Sequence, residues 1–210
     1  MSIKRLILLS LAASAIGSAF AQDITQLNIS GSAINEEVSA VSMLSLNDTR
    51  GSQKVCDLYF ADPTVYADGG KFYASGTRNY GPAGFTLLES TDLMNWHYAM
   101  PDSMSVLKGR DCWGTSSFWA PQYFKDDAGK YHIAYVANEQ CCIAHCDVLN
   151  GHYYQDVQEP VDASVKNIDP FVFRDDDGKY YMYHVRFPAG NILHVAELDP
   201  ETWKLKDGTL

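Results

Sequence analysis

The amino-acid sequence predicts an all-β fold, a β-propeller of four-stranded blades that is incomplete here. Three stretches share one pattern: DPTVYADGGKFYASGT, APQYFKDDAGKYHIAYV and DPFVFRDDDGKYYMYHV. Each has an extended run of β-branched and aromatic residues, a turn of acidic residues and glycine, and a second run, which is typical of a β-hairpin. The prolines Pro63, Pro121 and Pro170 are in register, 58 and 49 positions apart. This is close to the spacing of propeller blades, about 40–50 residues plus loops.

Residues 1–21 are predicted to form a signal peptide. Lys4 and Arg5 precede an apolar core from Leu6 to Ile16, and Ala19-Phe20-Ala21 has the small residues of a cleavage site. We therefore expect a secreted or periplasmic protein; the alternative is an uncleaved N-terminal anchor. No later segment approaches the roughly 20 apolar residues of a membrane span, so no membrane partner is expected after cleavage.

Residues 22–57 are interpreted as a leader or linker, partly disordered, because they are rich in Ser, Asn and Gly and poor in aromatic residues. Part of this segment could return to complete a strand of the last blade. The helical spacing at Val38–Leu46 is short and lacks a C-terminal cap, so no helix is predicted there.

Residues 58–210 are predicted to be the partial propeller. Gly84–Trp96 and Asn191–Trp203 each contain a strand, a polar turn and a tryptophan, which indicates a second hairpin in each blade. From Asp62 to Leu210 the chain has room for just under three blades, whereas closed propellers use four to eight. The sequence therefore predicts a truncated copy or a fragment of a longer domain.

The composition disfavours nucleic acid as a partner. The formal charge is −10, whereas phosphate binding requires clustered Lys and Arg. Aromatic residues make up 12% of the chain and recur in every hairpin. Most are expected to pack the blades, and the remainder would suit a neutral ring-shaped ligand such as a sugar.

The cysteines and the acidic turns do not predict a metal site. The five cysteines are an odd number, which leaves at least one unpaired within the chain in an exported protein. The Cys141, Cys142 and Cys146 cluster, with His132 and His145 nearby, lacks the paired C-x-x-C spacing of structural zinc sites. Buried or disulfide-linked cysteines are the favoured interpretation. The acidic runs before Gly129 and Gly178 lack the twelfth-position glutamate of an EF-hand, so hairpin turns are favoured over calcium loops.

Four motifs in order at blade spacing carry a resemblance to a known family. They are Ala61-Asp62-Pro63, the STDLMNW run of Ser90–Trp96, Phe118-Trp119-Ala120-Pro121 and Ile168-Asp169-Pro170. Together they resemble glycoside hydrolase family 43, whose members are five-bladed β-propellers that act on arabinose- and xylose-containing polysaccharides and oligosaccharides. The resemblance covers Leu58 to Leu210 and implies that about three of five blades are present.

The resemblance implies roles for three residues in an inverting glycoside hydrolase. Asp62 matches the general base that activates water, and Asp169 matches the aspartate that orients the general acid and tunes its pKa. An inverting site holds its base and acid about 6.5–9.5 Å apart, with the water between them. Trp119 matches the aromatic residue that packs against the sugar. The structural alternatives are that Asp-Pro simply begins a strand and that Trp119 packs between blades.

The general acid of the family is a glutamate, usually followed by Gly-Pro or Ala-Pro, and this chain has none in that context. Glu197 and Glu201 lie elsewhere in the pattern, so the acid is expected beyond Leu210 in the parent enzyme. One alternative is therefore a non-catalytic carbohydrate-binding propeller. A neighbouring fructan-hydrolysing family expects Asn-Asp-Pro and Arg-Asp-Pro, whereas Ala61 and Ile168 precede the aspartates here.

No cofactor is predicted. The resemblance leaves room for an ion, such as calcium, in the axial channel, because some relatives hold one near a histidine. His132, His184 and His194 are equal candidates for that position.

Overall fold

The computed structural model describes residues 60–77, 84–100, 105–107, 109–187 and 190–209. These residues all belong to one unit, Cys56–Leu210. The predicted signal peptide, the predicted leader and the helical spacing at Val38–Leu46 lie outside them, and so does Cys56. The described residues contain no helix, and therefore none that could cross a membrane.

Ten strands form three antiparallel sheets, one for each repeat. The first sheet contains β1 (Ala61–Asp68), β2 (Lys71–Thr77), β3 (Leu88–Ser90) and β4 (His97–Tyr98). The second contains β5 (Trp119–Lys125), β6 (Tyr131–Ala137) and β7 (Gln140–Cys146). The third contains β8 (Asn167–Arg174), β9 (Tyr180–Arg186) and β10 (Ile192–Leu198). The all-β prediction is confirmed, and each predicted repeat is a hairpin.

The fourth strand is complete in the first sheet alone. In the other two sheets its place is taken by single antiparallel bridges, His145 with Tyr154 and Leu198 with Leu205. The first blade therefore has the four predicted strands. The second and third blades have three strands each, and a single residue pair stands in place of the fourth strand.

The acidic-glycine turns have the backbone that hairpins require. Gly69 and Gly70 both have positive φ, 57° and 76°, as a two-residue turn of type I′ needs. In the second and third hairpins, Gly129 and Gly178 both have φ of 85°. The Asp126 and Asp175 carbonyls accept the amide hydrogens of these glycines at 3.0 Å. The acidic runs are thus hairpin turns.

A β-bulge interrupts the first strand of every sheet at the same repeat position. The register shifts between Ala61 and Thr64, between Trp119 and Gln122, and between Ile168 and Phe171. The residue before each proline has left-handed backbone: φ is 48° at Asp62, 44° at Ala120 and 56° at Asp169. Such a conformation costs about 1–2 kcal/mol for a residue other than glycine. Bulges of this kind redirect a side chain.

Two apolar clusters hold the three sheets in sequence order. Phe85, Phe118 and Tyr135 belong to the cluster between the first and second sheets, where Phe118 stacks on Tyr135 with ring centroids 6.1 Å apart. Phe124 and Met182 belong to the cluster between the second and third sheets. The second sheet therefore lies between the other two, and β5 contacts both β1 and β8.

The far side of the third sheet is apolar and exposed. Phe171, Tyr183 and Val195 are opposite one another across β8, β9 and β10, and they are 41%, 36% and 42% exposed. Leu193, in the next row, is 67% exposed. We call these four residues the open face of the third sheet. A face of this kind is typical of a surface that packs against another element.

The Ser90–Trp96 motif forms a closed loop. The Asp92 carboxylate accepts the backbone N–H groups of Met94 and Asn95 at 2.9 and 2.7 Å, and these bonds lower its pKa. The indole N–H of Trp96 donates to the Leu93 carbonyl at 3.0 Å. The motif is therefore a local turn structure.

Four cysteines, Cys112, Cys141, Cys142 and Cys146, are buried and form no disulfide. Burial raises the pKa of the Cys112 thiol to about 11 and that of Cys142 to about 12. Thiols with so little thiolate are unreactive. Of the two structural interpretations, buried packing is confirmed for these cysteines.

Candidate active site

The three bulges lie at one end of the sheets because each stands at the start of its first strand. The hairpin turns after β1, β5 and β8 are at the opposite end. Because β5 contacts both β1 and β8, the bulged residues Asp62, Ala120 and Asp169 are brought to the same end of neighbouring strands. Two specific interactions connect them.

The first interaction joins Asp62 to the second blade. The Thr77 hydroxyl donates to Oδ2 of Asp62 at 2.8 Å. The same hydroxyl accepts the backbone N–H of Ala120 at 2.8 Å. Asp62 is solvent-exposed, whereas Thr77 is 6% exposed. One oxygen of an exposed carboxylate is therefore anchored to a buried support.

The second interaction is electrostatic and joins Asp62 to Asp169. The pKa of the Asp169 carboxyl is raised, first because surrounding protein removes part of its hydration and second because the Asp62 carboxylate repels its charge. A neighbouring carboxylate raises the proton affinity of a carboxyl group in this way. The two aspartates predicted from the repeat are therefore electrostatic neighbours.

Trp119 begins β5, directly before the second bulge, and is half-buried. It makes no ring–ring contact with any aromatic residue in the described part of the chain. Trp203 behaves differently: its ring centroid lies 5.2 Å from those of Phe124 and Tyr180 and 4.5 Å from that of His132. Trp203 thus packs between blades, and Trp119 lies at the bulge end.

Within the described residues, four of the five glutamates pair with lysine, and none bonds to Asp62. Glu197 lies on β10, where hydrogen bonds from Lys206 and Lys179 lower its pKa, that of Lys206 most strongly. Glu89 pairs with Lys71, Glu139 with Lys166, and Glu159 with Lys204. Glu201 lies in the turn after β10, at the turn end of the third sheet.

A cavity of about 610 Å³ lies at the turn end of the second and third sheets. Its lining includes Asp126, His132, His145, Glu201 and Trp203, and it excludes Asp62, Trp119 and Asp169. His132 is buried and bonded to Asp126 at 2.8 Å, so its location is at the opposite end of the blades from the bulges.

The other two candidate ion-binding histidines lie in the third sheet. His184 and His194 stack with ring centroids 5.9 Å apart. Burial and the Arg186 charge lower the pKa of His184 to about 4. Across the described ranges, no three His, Cys, Asp or Glu side chains are grouped as metal ligands.

The sequence reasoning identified Asp62, Trp119 and Asp169, and the structure brings them to one end of three adjacent strands. It missed Thr77. A signal was present: the three hairpins can be aligned, and the hydroxyl of Thr77 stands where the other two repeats have valine.

A family model described as "Glycosyl hydrolases family 43" matches residues 54–209. A Xylosidase/arabinosidase 43A from Humicola insolens is 29% identical over 151 residues, which cover 61% of this chain and 44% of that protein. A Beta-xylosidase from Xylanibacter ruminicola is 27% identical, with 60% and 44% covered. The chain thus spans less than half the length of these relatives.

The solved structures that are similar agree with the fold. A structure described as an Endo-1,4-beta-xylanase from Bacteroides thetaiotaomicron is 36% identical, with a TM-score of 0.66. The match covers 71% of this chain and 50% of that one. A thermostable family-43 glycoside hydrolase is 26% identical, with a TM-score of 0.59, and 69% and 50% of the two chains are covered.

Proposed function

Because the chain belongs to glycoside hydrolase family 43, we propose that the protein is an exported enzyme that hydrolyses O-glycosidic bonds with inversion. Its substrates are arabinose- and xylose-containing plant polysaccharides or oligosaccharides. The names of the similar proteins, two of them xylosidases, support this substrate class. The proposal includes no cofactor and no nucleic-acid or membrane partner.

One observation carries the catalytic part of the proposal: Asp62 and Asp169 stand on equivalent bulges and interact electrostatically. A pair of carboxyl groups whose environments differ is the usual basis of glycoside hydrolysis. Asp62, exposed and held through one oxygen, is the proposed base. Asp169, which retains its proton to higher pH, is the proposed partner that tunes and orients the acid.

In the proposed reaction, Asp62 takes a proton from a water molecule as that water attacks the anomeric carbon. The bond to the leaving oxygen breaks on the opposite face of the sugar, which inverts the anomeric configuration. The Trp119 ring packs against the apolar face of the sugar and holds it in place. A general acid must protonate the leaving oxygen, and we propose that a glutamate outside residues 60–209 supplies it.

A second candidate function is carbohydrate binding without hydrolysis. It is favoured by the ion pairs that four of the five described glutamates form with lysine. General acid catalysis contributes about 10²–10⁴-fold to such reactions. A chain without the acid would retain the Trp119 platform and lose most of its rate on natural linkages.

Two classes of synthetic substrate separate these candidates. A 2,4-dinitrophenyl β-xyloside or α-arabinofuranoside has a leaving group that departs without a proton, so it reports on the base alone. The 210-residue chain is expected to release dinitrophenol from such a substrate and to act about 10²–10⁴-fold more slowly on the 4-methoxyphenyl glycoside.

The control is Asp62→Asn, which keeps the side-chain shape but cannot accept the proton. It is expected to abolish release while calorimetry with xylobiose or arabinobiose shows binding within about threefold of the parent. Binding without hydrolysis of either substrate would favour the second candidate. Neither binding nor hydrolysis would overturn both.

A further inference from the structure

The Thr77 hydroxyl has a fixed direction. It stands at the end of β2, almost fully buried, between the Asp62 carboxylate and the Ala120 amide. An amide N–H can only donate, so the hydroxyl accepts from Ala120 and its single proton is directed at Oδ2 of Asp62. Such a charge-assisted bond is stronger than one between two neutral groups.

The blade architecture does not require this hydroxyl. Thr77 is opposite Ala61, the residue before the first bulge. The residues at the same register position in the other hairpins are Val136, opposite Trp119, and Val185, opposite Ile168. Valine has the shape of threonine without the oxygen. The repeat therefore uses a β-branched side chain for packing, and the hydroxyl is confined to the blade that carries Asp62.

The Thr77 hydroxyl restricts the side-chain rotation of the exposed Asp62. Within the described residues, the Thr77 bond is the one hydrogen bond made by the Asp62 carboxylate. It holds Oδ2. Through the Ala120 N–H, it also ties the carboxylate to the backbone that directly follows Trp119. One side chain therefore connects the Asp62 carboxylate to the strand that carries Trp119.

We propose that Thr77 is a positioning residue for the general base: it orients Asp62 toward the attacking water and fixes its place relative to the sugar platform at Trp119. This inference rests on the function proposed above. A misplacement of about 1 Å at a reacting group can cost roughly 100-fold in rate. Thr77 itself touches neither the water nor the sugar.

The kinetic test uses the 2,4-dinitrophenyl glycoside with Thr77→Val and Thr77→Ser. The valine variant is expected to lower kcat by about 10- to 100-fold with KM within about threefold, because sugar contacts remain while the base loses its orientation. The serine variant keeps the hydroxyl and is expected to stay within about threefold of the parent in kcat. Equal kcat in the valine variant and the parent would overturn the inference.

Thr202 provides a matched control. Its hydroxyl donates to the Asp199 carboxylate at 3.1 Å and accepts the Lys204 N–H at 3.4 Å, the same arrangement in the turn after β10. Thr202→Val is expected to leave kcat unchanged. If it lowers kcat as much as Thr77→Val does, the effect belongs to general stability and the inference fails.

The structural test does not depend on activity. A crystal structure of Thr77→Val is expected to show the Asp62 carboxylate displaced or in several rotamers, and that of Thr77→Ser to show it in place. The valines at the equivalent positions indicate that Thr77→Val folds. If Thr77→Val does not fold, Thr77→Ala takes its place in the test. A parent chain that hydrolyses nothing counts against the proposed function. An undisturbed Asp62 in Thr77→Val or Thr77→Ala counts against the positioning role.

Discussion

Replacing Gln122 by leucine is expected to destabilise the protein by about 2–4 kcal/mol. Gln122 lies on β5 and bonds the edge of β8 with both ends of its amide. Its Nε2 donates to the Val172 carbonyl at 3.0 Å, and its Oε1 accepts the Val172 N–H at 2.8 Å. Since β8 is the edge strand of its sheet, the side chain satisfies backbone groups that no strand pairs.

The magnitude follows from those two bonds. A hydrogen bond contributes about 0.5–1.5 kcal/mol net, and a buried polar group left without a partner costs about 1–3 kcal/mol. Val172 is 5% exposed, so water replaces the lost amide only poorly. For a protein of this size, each kcal/mol lowers Tm by about 2–4 °C, which gives a fall of roughly 5–15 °C.

Thermal unfolding followed by circular dichroism measures the change. The matched control is Gln158→Leu, which removes a single surface bond, that to the Arg110 carbonyl at 2.8 Å, and is expected to stay within about 0.5 kcal/mol. Equal Tm values for the Gln122 variant and the control would refute the reasoning that this amide joins the second and third blades.

Three further predictions address electrostatics and surface. Stability should fall as pH drops from about 6.5 toward 4, because the folded state lowers the pKa of buried His184 to about 4 and the unfolded chain takes up the proton first. The loss from this group is about 2 kcal/mol at pH 5 relative to pH 8 by linkage. Urea denaturation at both pH values should show a smaller difference for His184→Gln, and an identical difference would contradict the assignment. Asp62→Asn should lower the pKa of Asp169 by removing a repelling charge; an unchanged carboxyl ¹³C titration would show that the two residues are not neighbours. The exposed apolar side chains on the open face of the third sheet are expected to promote self-association, so the double change Tyr183→Lys and Val195→Lys should reduce it in light scattering. Val148→Lys, at an exposed valine in a turn, should not reduce it. Equal self-association of the two variants would show that the open face is not the surface through which copies associate.

The repeat made the hairpins and the relation between Asp62 and Asp169 predictable. Alternating apolar residues define each strand, and the prolines set the register, so equivalent positions follow from sequence alone. The three bulges lie at those same positions, because the Pro ring removes a ladder donor there. The catalytic roles of Asp62, Asp169 and Trp119 stay predictions.

The contacts between blades could not be read from the sequence. Thr77, Ala120 and Gln122 meet their partners across 15 to 50 positions, and no local pattern specifies such pairs. The outer strands were also hard to define, since one bridge replaces the fourth strand in two blades. Pairing at a blade's outer edge depends on side-chain packing more than on propensity.

The stereochemistry of hydrolysis tests the central claim most directly. The 210-residue chain is incubated with 2,4-dinitrophenyl β-xyloside, and ¹H NMR records the anomeric signals of released xylose before mutarotation. If Asp62 activates a water that attacks opposite the leaving group, α-xylose appears first, and Asp62→Asn abolishes its release. If β-xylose appears before α-xylose, or if Asp62→Asn still releases xylose, the account is contradicted.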